Sequence, residues 1–285
     1  MLKKSKMKQV PSSRLSGGMK IGIIGVGMVG GAVARYFESV GKTPLLYDKY
    51  NGRGSWDEVN RADVIFITVP TPCKKRGGFD LSAVRESFTG IRGKKIIVLK
   101  STVWPGTTEQ LQKEYPRHKV LFNPEFLSEA TADDDMRNPD VQIVGYTGAS
   151  RPLAQKILSE ILPHAPYEAV IPATEAEMFK YFHNVHGALK VVFANQIYDL
   201  CSKLDINYDR IKECAAASKH ILTSQYLDVW HKKFRGYGGS CFPKDMRALI
   251  QFGDAIGVNL ELLKAAERIN NRLLRRQNIK NAERR

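Results

Sequence analysis

The chain has 285 residues, enough for one large domain or two smaller ones, each able to bury a core. Lys and Arg number 44 against 29 Asp and Glu, a net charge of +15, but residues 1–20 hold six of the basic side chains with no acid and residues 264–285 hold eight with two acids. The middle is close to neutral, which argues against a nucleic-acid platform and for solvated basic ends, and no apolar run reaches the length of a membrane span.

Four cysteines, Cys73, Cys201, Cys214 and Cys241, show neither paired spacing nor a Cys-x-x-Cys. Free thiols and a reducing compartment, the cytoplasm, follow, and no metal site is expected. Lys3, Lys4, Lys6 and Lys8 precede no apolar core, so the start does not read as a secretory signal. Residues 1–18, with Pro11, Ser12, Ser13, Gly17 and Gly18, read as a flexible basic leader.

The first structured segment is a short apolar run at 20–24 that suits a buried strand. Gly25-Val26-Gly27-Met28-Val29-Gly30 follows at once, then residues at helical spacing. This is G-x-G-x-x-G between a strand and a helix. The first glycine permits the tight turn, the second lets a pyrophosphate approach the backbone, and the third lets the helix pack on the sheet. The phosphates would lie on the helix N-terminus, against the amides of Met28, Val29 and Gly30. The next apolar run, 44–48, ends in Asp48, which stands where a carboxylate binds the ribose hydroxyls of NAD and rejects a 2′-phosphate. Lys49 and Arg53 nearby leave room for NADP.

Further strands are predicted at 63–70, 95–99, 119–122 and 142–144, spaced as in βαβ units. Their continuous apolar runs predict a parallel sheet covered on both faces, with ligands beyond the strand C-termini. Polar residues collect there: Thr71-Pro72, Lys100-Ser101-Thr102, and Asn123 to Glu129. Helix caps and turns are the alternative use for such residues.

From about 173 the pattern is helical. Glu175 to Leu204 contains no proline, and Met178, Tyr181, Phe182, Val185, Leu189, Val192, Phe193 and Ile197 make an apolar stripe. Lys180 and Asn184 lie one turn apart beside it. A second helix is predicted at 208–220, and a last one carries the stripe Leu262, Ala266, Ile269 and Leu273. Between them, Gly238-Gly239-Ser240-Cys241-Phe242-Pro243-Lys244-Asp245 places a thiol, an ammonium and a carboxylate within five positions at a helix start. A cation and a helix N-terminus both favour the thiolate, the reactive form; an inert buried cysteine is the other reading.

Taken together, these segments resemble the UDP-glucose/GDP-mannose dehydrogenase family. The resemblance rests on Gly25-x-Gly27-x-x-Gly30, Val69-Pro70-Thr71-Pro72, Lys100 to Thr108, Asn123-Pro124-Glu125-Phe126-Leu127-x-Glu129, Lys180-x-x-x-Asn184 and Gly238 to Asp245, in the family's order over residues 19–275. It implies NAD-dependent oxidation of a sugar-nucleotide C6 alcohol to a carboxylate. In that scheme Cys241 captures the aldehyde, and Lys180 and Asn184 stabilise the oxyanion. Asp245 and Glu129, with Thr102, handle the water. Glu125, Phe126 and Leu127 hold substrate, together with Phe234, Gly236, Tyr237 and Gly238. Lys244 would lower the thiol pKa and would also face the cofactor, together with Thr71, Thr102 and Lys100.

Some positions depart from the family's pattern. The stretch between Asp48 and Asp63 is short, Val141 stands where an arginine often follows Pro-Asp, and no arginine in 224–232 matches the one that reaches a neighbouring subunit. The family's C-terminal nucleotide-binding domain has no counterpart before Arg285, so a partner would supply it, or Lys232, Lys233 and Arg235 would meet the diphosphate. Three readings stay open: a four-electron dehydrogenase, a two-electron alcohol or hydroxyacid-type dehydrogenase using Lys180 and Asn184, and a catalytically silent NAD-binding subunit. The expected architecture is an α/β Rossmann domain at 19–172, a doubly wound parallel sheet, followed by an all-helical domain at 173–285 whose long helix forms a homodimer seam.

Overall fold

The structure, a computed structural model, describes residues 18–74, 78–218, 229–231, 234–239 and 241–279. Of the expected features, the leader up to residue 17 and Lys232, Lys233 and Ser240 lie outside the described residues. The chain forms two compact units, Met1–Thr71 with Leu81–Glu177, and Pro72–Asp80 with Met178–Arg285.

In the first unit strands and helices alternate: β1 (Ile21–Ile24), α1 (Met28–Ser39), β2 (Leu45–Asp48), β3 (Arg53–Gly54), α2 (Trp56–Val59), β4 (Val64–Ile67), α3 (Ser82–Gly90), β5 (Ile96–Leu99), α4 (Thr107–Glu114), β6 (Lys119–Phe122), α5 (Ala132–Arg137), β7 (Val141–Tyr146), α6 (Arg151–Glu160) and β8 (Tyr167–Pro172). The eight strands make one sheet in the order β3-β2-β1-β4-β5-β6-β7-β8. Neighbours from β2 to β6 are parallel, and so are β7 and β8. The strand order reverses at β1, which has β2 on one side and β4 on the other, so the crevice for a ligand opens at the C-terminal ends of β1 and β4.

Three features of the sheet differ from the sequence expectation, the first being the two-residue strand β3, which was not expected and runs antiparallel to β2. β7 runs antiparallel to β6, because an apolar strand buried on both faces carries no mark of its direction. β8 was not expected at all. It is the edge of the sheet, with Tyr167 and Glu168 exposed, so its apolar signal is weak, yet it pairs with β7 from Val141↔Tyr167 to Tyr146↔Pro172.

α1 approaches the sheet closely because its inward face is small, with Gly30, Gly31, Ala32 and Ala34 all buried. Phe37 on α1 and Phe66 on β4 meet with ring centroids 5.5 Å apart in a core that includes Ile21, Val33, Leu121 and Val144. Each such buried side chain contributes about 2 kcal/mol.

The second unit holds most of α7 (Ala173–Lys203), then α8 (Tyr208–Ala217), the hairpin strands β9 (Trp230–His231) and β10 (Phe234–Arg235), α9 (Phe242–Ala255) and α10 (Glu261–Arg276). Its core joins Val185, Ala188 and Val192 of α7 to Tyr237, Met246, Ile250, Leu263 and Ala266. The single stripe predicted on α7 is in fact two. Tyr181, Val185 and Val192 are buried, whereas Phe182 and Phe193 stand 68% and 62% exposed. Adjacent residues differ by about 100° around a helix, so one partner cannot cover both sets. On α10 the inward positions are Leu263, Ala266, Asn270, Leu273 and Leu274, and Leu262 points out. No helix of the described residues is long and apolar enough to cross a membrane.

One buried carboxylate anchors the start of α7 to the sheet unit. Glu177 accepts from Gly106 N–H at 2.6 Å, Thr108 N–H at 2.8 Å and the Thr108 hydroxyl at 2.6 Å, and so caps the N-terminus of α4, which has no side-chain cap of its own. Burial pushes the Glu177 carboxyl up to about 7, against the opposing pull of the Thr108 and Gly106 donors. A folded pKa above the unfolded one adds stability that is full below about 4.5 and lost as pH rises through about 7. Urea unfolding should therefore show stability falling by on the order of 3 kcal/mol between those limits. Glu177→Gln should flatten that slope, and an unchanged slope would contradict the assignment.

Candidate active site

The glycine loop of the first unit has the geometry that its spacing predicts. Gly25 has φ +87°, and a side chain there would press on the Thr68–Val69 backbone. Its N–H donates to Tyr47 O at 2.9 Å, and its carbonyl accepts from Thr68 Oγ1 at 2.5 Å. A Cβ on Gly30 would run into the Gly25 carbonyl oxygen, whereas one on Gly27 would meet nothing within 4 Å. Gly27 is the N-cap of α1 and no side chain caps the helix, so the amides of Met28, Val29 and Gly30 are left to an anion that approaches over Gly27.

Asp48, at the end of β2, is buried and surrounded by donors. Val26 N–H reaches Oδ2 at 2.5 Å, Tyr50 and Asn51 N–H reach Oδ1 at 2.9 and 2.8 Å, and the Asn51 amide reaches Oδ2 at 3.2 Å. Burial alone would raise its pKa; the Val26, Asn51 and Tyr50 donors outweigh that and hold it below the ordinary carboxylate value. Asp48 thus ties the glycine loop to the turn after β2, a role its position in the motif does not reveal.

The turns beyond β4, β5 and β6 carry the remaining predicted residues of this unit. Thr71 donates to Thr102 O at 2.6 Å and Ser101 Oγ to Val69 O at 2.7 Å, joining two of the turns. Lys100 is buried and donates to Asn123 Oδ1 at 2.6 Å, and Asn123 donates onward to Gln142 Oε1 and Ile143 O, each at 2.7 Å. Thr102 and Glu125 are buried, and Glu125 accepts from Leu127 N–H at 2.9 Å. Phe126 and Leu127 are half-buried and Glu129 is exposed.

In the second unit the predicted residues of α7 and α9 meet. Lys180 and Asn184 are both buried on α7. Asn184 Nδ2 donates to Asp245 Oδ2 at 2.5 Å, and Lys244 Nζ donates to Asp245 Oδ1 at 2.6 Å. His183 Nδ1 lies 3.1 Å from Asn184 Oδ1. Asp245 is 1% exposed. Cys241, half-buried, is the N-cap of α9, and its carbonyl accepts from Asp245 N–H at 2.9 Å. The Lys244 ammonium, expected to serve the thiol, is bound to a carboxylate.

The loop leading to Cys241 is pinned from α10, where Asn270 accepts from Tyr237 N–H at 2.8 Å and donates to Tyr237 O at 3.0 Å. Gly236, at φ +101°, has no room for a side chain against Asn270 Oδ1. Phe234 and Tyr237 are buried beside it, and Gly238 is half-buried. Asn270 was not among the predicted residues; its signal is a polar residue at a core position of an apolar stripe. Arg235, expected to meet a diphosphate, instead donates to Asp199 Oδ1 at 2.7 Å and Asn195 Oδ1 at 3.2 Å and lies 4.7 Å over the Tyr198 ring. Among the described residues no group of three or more His, Cys, Asp or Glu is placed to hold a metal ion.

Two family profiles match the chain: the UDP-glucose/GDP-mannose dehydrogenase family's NAD binding domain over residues 48–164 and its central domain over residues 174–272. A solved UDP-glucose dehydrogenase from the hyperthermophilic archaeon Pyrobaculum islandicum is similar at TM-score 0.80 and 30% identity, covering 94% of this chain and 71% of that one. The chain belongs to the UDP-glucose/GDP-mannose dehydrogenase family. UDP-glucose 6-dehydrogenase of Pseudomonas aeruginosa is 36% identical over 229 residues, 74% of this chain and 49% of that protein. The chain spans about half the length of the curated relatives it matches. Mycobacterium tuberculosis 3-hydroxyisobutyrate dehydrogenase, at TM-score 0.70 and 15% identity over 90% of this chain and 94% of that one, shares the fold alone.

NAD is the cofactor of this family's first domain, and the residues present fit it. The loop Gly25–Gly30 precedes the matched span, so its open face at Gly27 and the uncapped amides of α1 are independent support for a bound pyrophosphate. Asp48 holds that loop in shape. Asp48→Asn would turn amide hydrogens toward a backbone donor and leave the buried Val26 N–H or its neighbours without an acceptor. Calorimetric titration should show NAD binding weakened by about tenfold or more, with no gain for NADP; unchanged affinity would refute the tie.

Proposed function

We propose that the chain oxidises the C6 alcohol of a nucleotide sugar, UDP-glucose or a close relative, to the carboxylate in two NAD-linked steps, with the carbon held on Cys241 between them. The observation that carries this reading is the joined set in the second unit: Asn184, Asp245 and Lys244 hydrogen-bonded in a chain, with half-buried Cys241 as the N-cap of the same helix α9 and Lys180 buried one turn before Asn184. A two-electron dehydrogenase has no use for a thiol at that position.

The cofactor, when bound, supplies the hydride acceptor. The chain's own residues do the rest. Cys241 is the N-cap of α9, and a helix N-terminus favours the thiolate form. Its sulfur adds to the aldehyde carbon, and the oxygen becomes an oxyanion that the Lys180 ammonium and the Asn184 amide stabilise. Loss of hydride from that carbon leaves a thioester. Water adds to it, the carbon–sulfur bond breaks, and thiolate and carboxylate result. Asp245, Glu129 and Thr102 are the groups assigned to the water and its protons. Phe234, Gly236, Tyr237 and Gly238 form the loop assigned to the sugar, held in shape by Asn270. Glu125, Phe126 and Leu127 are assigned to substrate from the first unit. With Arg235 committed to α7, the diphosphate is left to other loops, to Lys232 and Lys233, or to a partner domain. Free thiols at all four cysteines fit a reducing compartment, so the cytoplasm is the proposed location.

The same reading makes the chain a homodimer across α7. Met178, Phe182, Phe193, Leu200 and Leu204 are exposed along that helix and its end, at spacings that keep them on one side, and a stripe of that kind is what a two-fold interface covers.

The central test is stoichiometry with purified protein and UDP-glucose. Two NADH per carboxylate support the proposal, while one NADH per product would support a hydroxyacid-type alcohol dehydrogenase instead. Cys241→Ala should abolish acid formation and leave NAD binding intact; normal acid formation would end the covalent scheme. For the dimer, Phe193→Asp should give a monomer by light scattering with no loss of helical signal, and a variant still dimeric would place the seam elsewhere.

A further inference from the structure

The segment Pro72–Asp80 follows β4 in the chain but belongs to the second unit. Its described residues close on themselves, with Cys73 bridged to Phe79, Lys74 N–H donating to Gly78 O at 2.8 Å and Asp80 N–H donating to Pro72 O at 2.8 Å. Gln251 of α9 fastens it: Gln251 Oε1 accepts from Gly78 N–H at 3.1 Å and from Cys73 Sγ at 3.1 Å. Lys244 and Gln251 are seven residues apart on α9, so they share one face of the helix. Fastened there, the segment sets the Phe79 ring 5.1 Å from the Lys244 ammonium.

We propose that Phe79 is a positioning residue for the oxyanion-binding amide of Asn184, acting through Lys244 and Asp245. The proposal rests on the function argued above, but its geometry stands apart from it. The ring face attracts the ammonium and limits where it can sit. The ammonium in turn meets Oδ1 of a carboxylate that is almost wholly out of solvent. With Oδ1 held, Oδ2 is the fixed acceptor for one hydrogen of Asn184 Nδ2. The second Nδ2 hydrogen is thereby oriented for an oxyanion. A shift of the ammonium would leave Asp245 poorly paired in a dry site, where an ion lacking its partner is costly, and the amide would lose its reference.

The test uses the full chain with Phe79→Leu, which keeps apolar volume but removes the ring, and Phe79→Trp, which keeps a ring face. Side-chain amide hydrogen exchange of Asn184, followed by NMR and assigned with Asn184→Ala, reads the positioning directly and needs no turnover. Exchange should quicken about tenfold in the leucine variant, the scale of a partly desolvated ring–cation contact, and return to the native rate in the tryptophan variant. The rate of NADH formation should follow the same order, with the Michaelis constant for NAD unchanged. Equal exchange rates in the native and leucine proteins would overturn the proposal whether or not the protein turns over. So would slow exchange that the tryptophan variant fails to restore. Failure of the native protein to oxidise any nucleotide sugar would instead remove the function and leave the exchange result to judge the contact.

Discussion

A carboxylate removed from water must have its charge met, and Asp245 is the point in the second unit where this constraint acts. An isolated buried ion costs several kcal/mol even after relaxation. Asp245 avoids that by taking an ammonium on one oxygen and an amide on the other. The pairing joins α7 to the first turn of α9, and so fixes Lys180, Asn184, Lys244 and Cys241 on two helices that pack through Val185, Ala188, Met246 and Ile250. Chemistry and packing are not separable here: the apolar core sets the helix spacing, and the buried charge sets which side chains face each other across it.

The first unit solves a related problem with backbone. Asp48 is buried too, though less deeply, and its partners are three main-chain N–H groups and one side-chain amide. Hydrogen bonds to the ionised form offset its desolvation, and the geometry they demand holds the glycine loop against the end of β2. Glu177 is a third case, and the weakest: its donors do not overcome burial. Asp48 and Glu177 therefore depart in opposite directions from the ordinary carboxylate value, according to whether the donors outweigh burial.

Much of this was legible along the chain. Strand-length apolar runs, three glycines at fixed spacing and the cluster from Gly238 to Asp245 each have a local physical meaning, and together they indicate a Rossmann unit, NAD and a thiol at a helix start. Asn184 and Asp245 were named separately from 61 residues apart; that they bond to each other was not readable. Asn270 and Glu177 escaped notice because a polar residue inside a helix is ordinary until its surroundings are known to be dry.

Local periodicity and turn chemistry were sufficient for β1, β2, β4 to β7 and the long helix α7, and the motifs in their order carried the resemblance to the family and its cofactor. Only the folded chain decided the direction of β7, the existence of β8, which half of α7's apolar residues is left uncovered, and the placement of Phe79 beside Lys244. The difference has one cause. Helix and strand patterns depend on neighbours a few residues away, whereas burial, strand direction and the partner of a buried charge depend on residues brought together from distant parts of the chain.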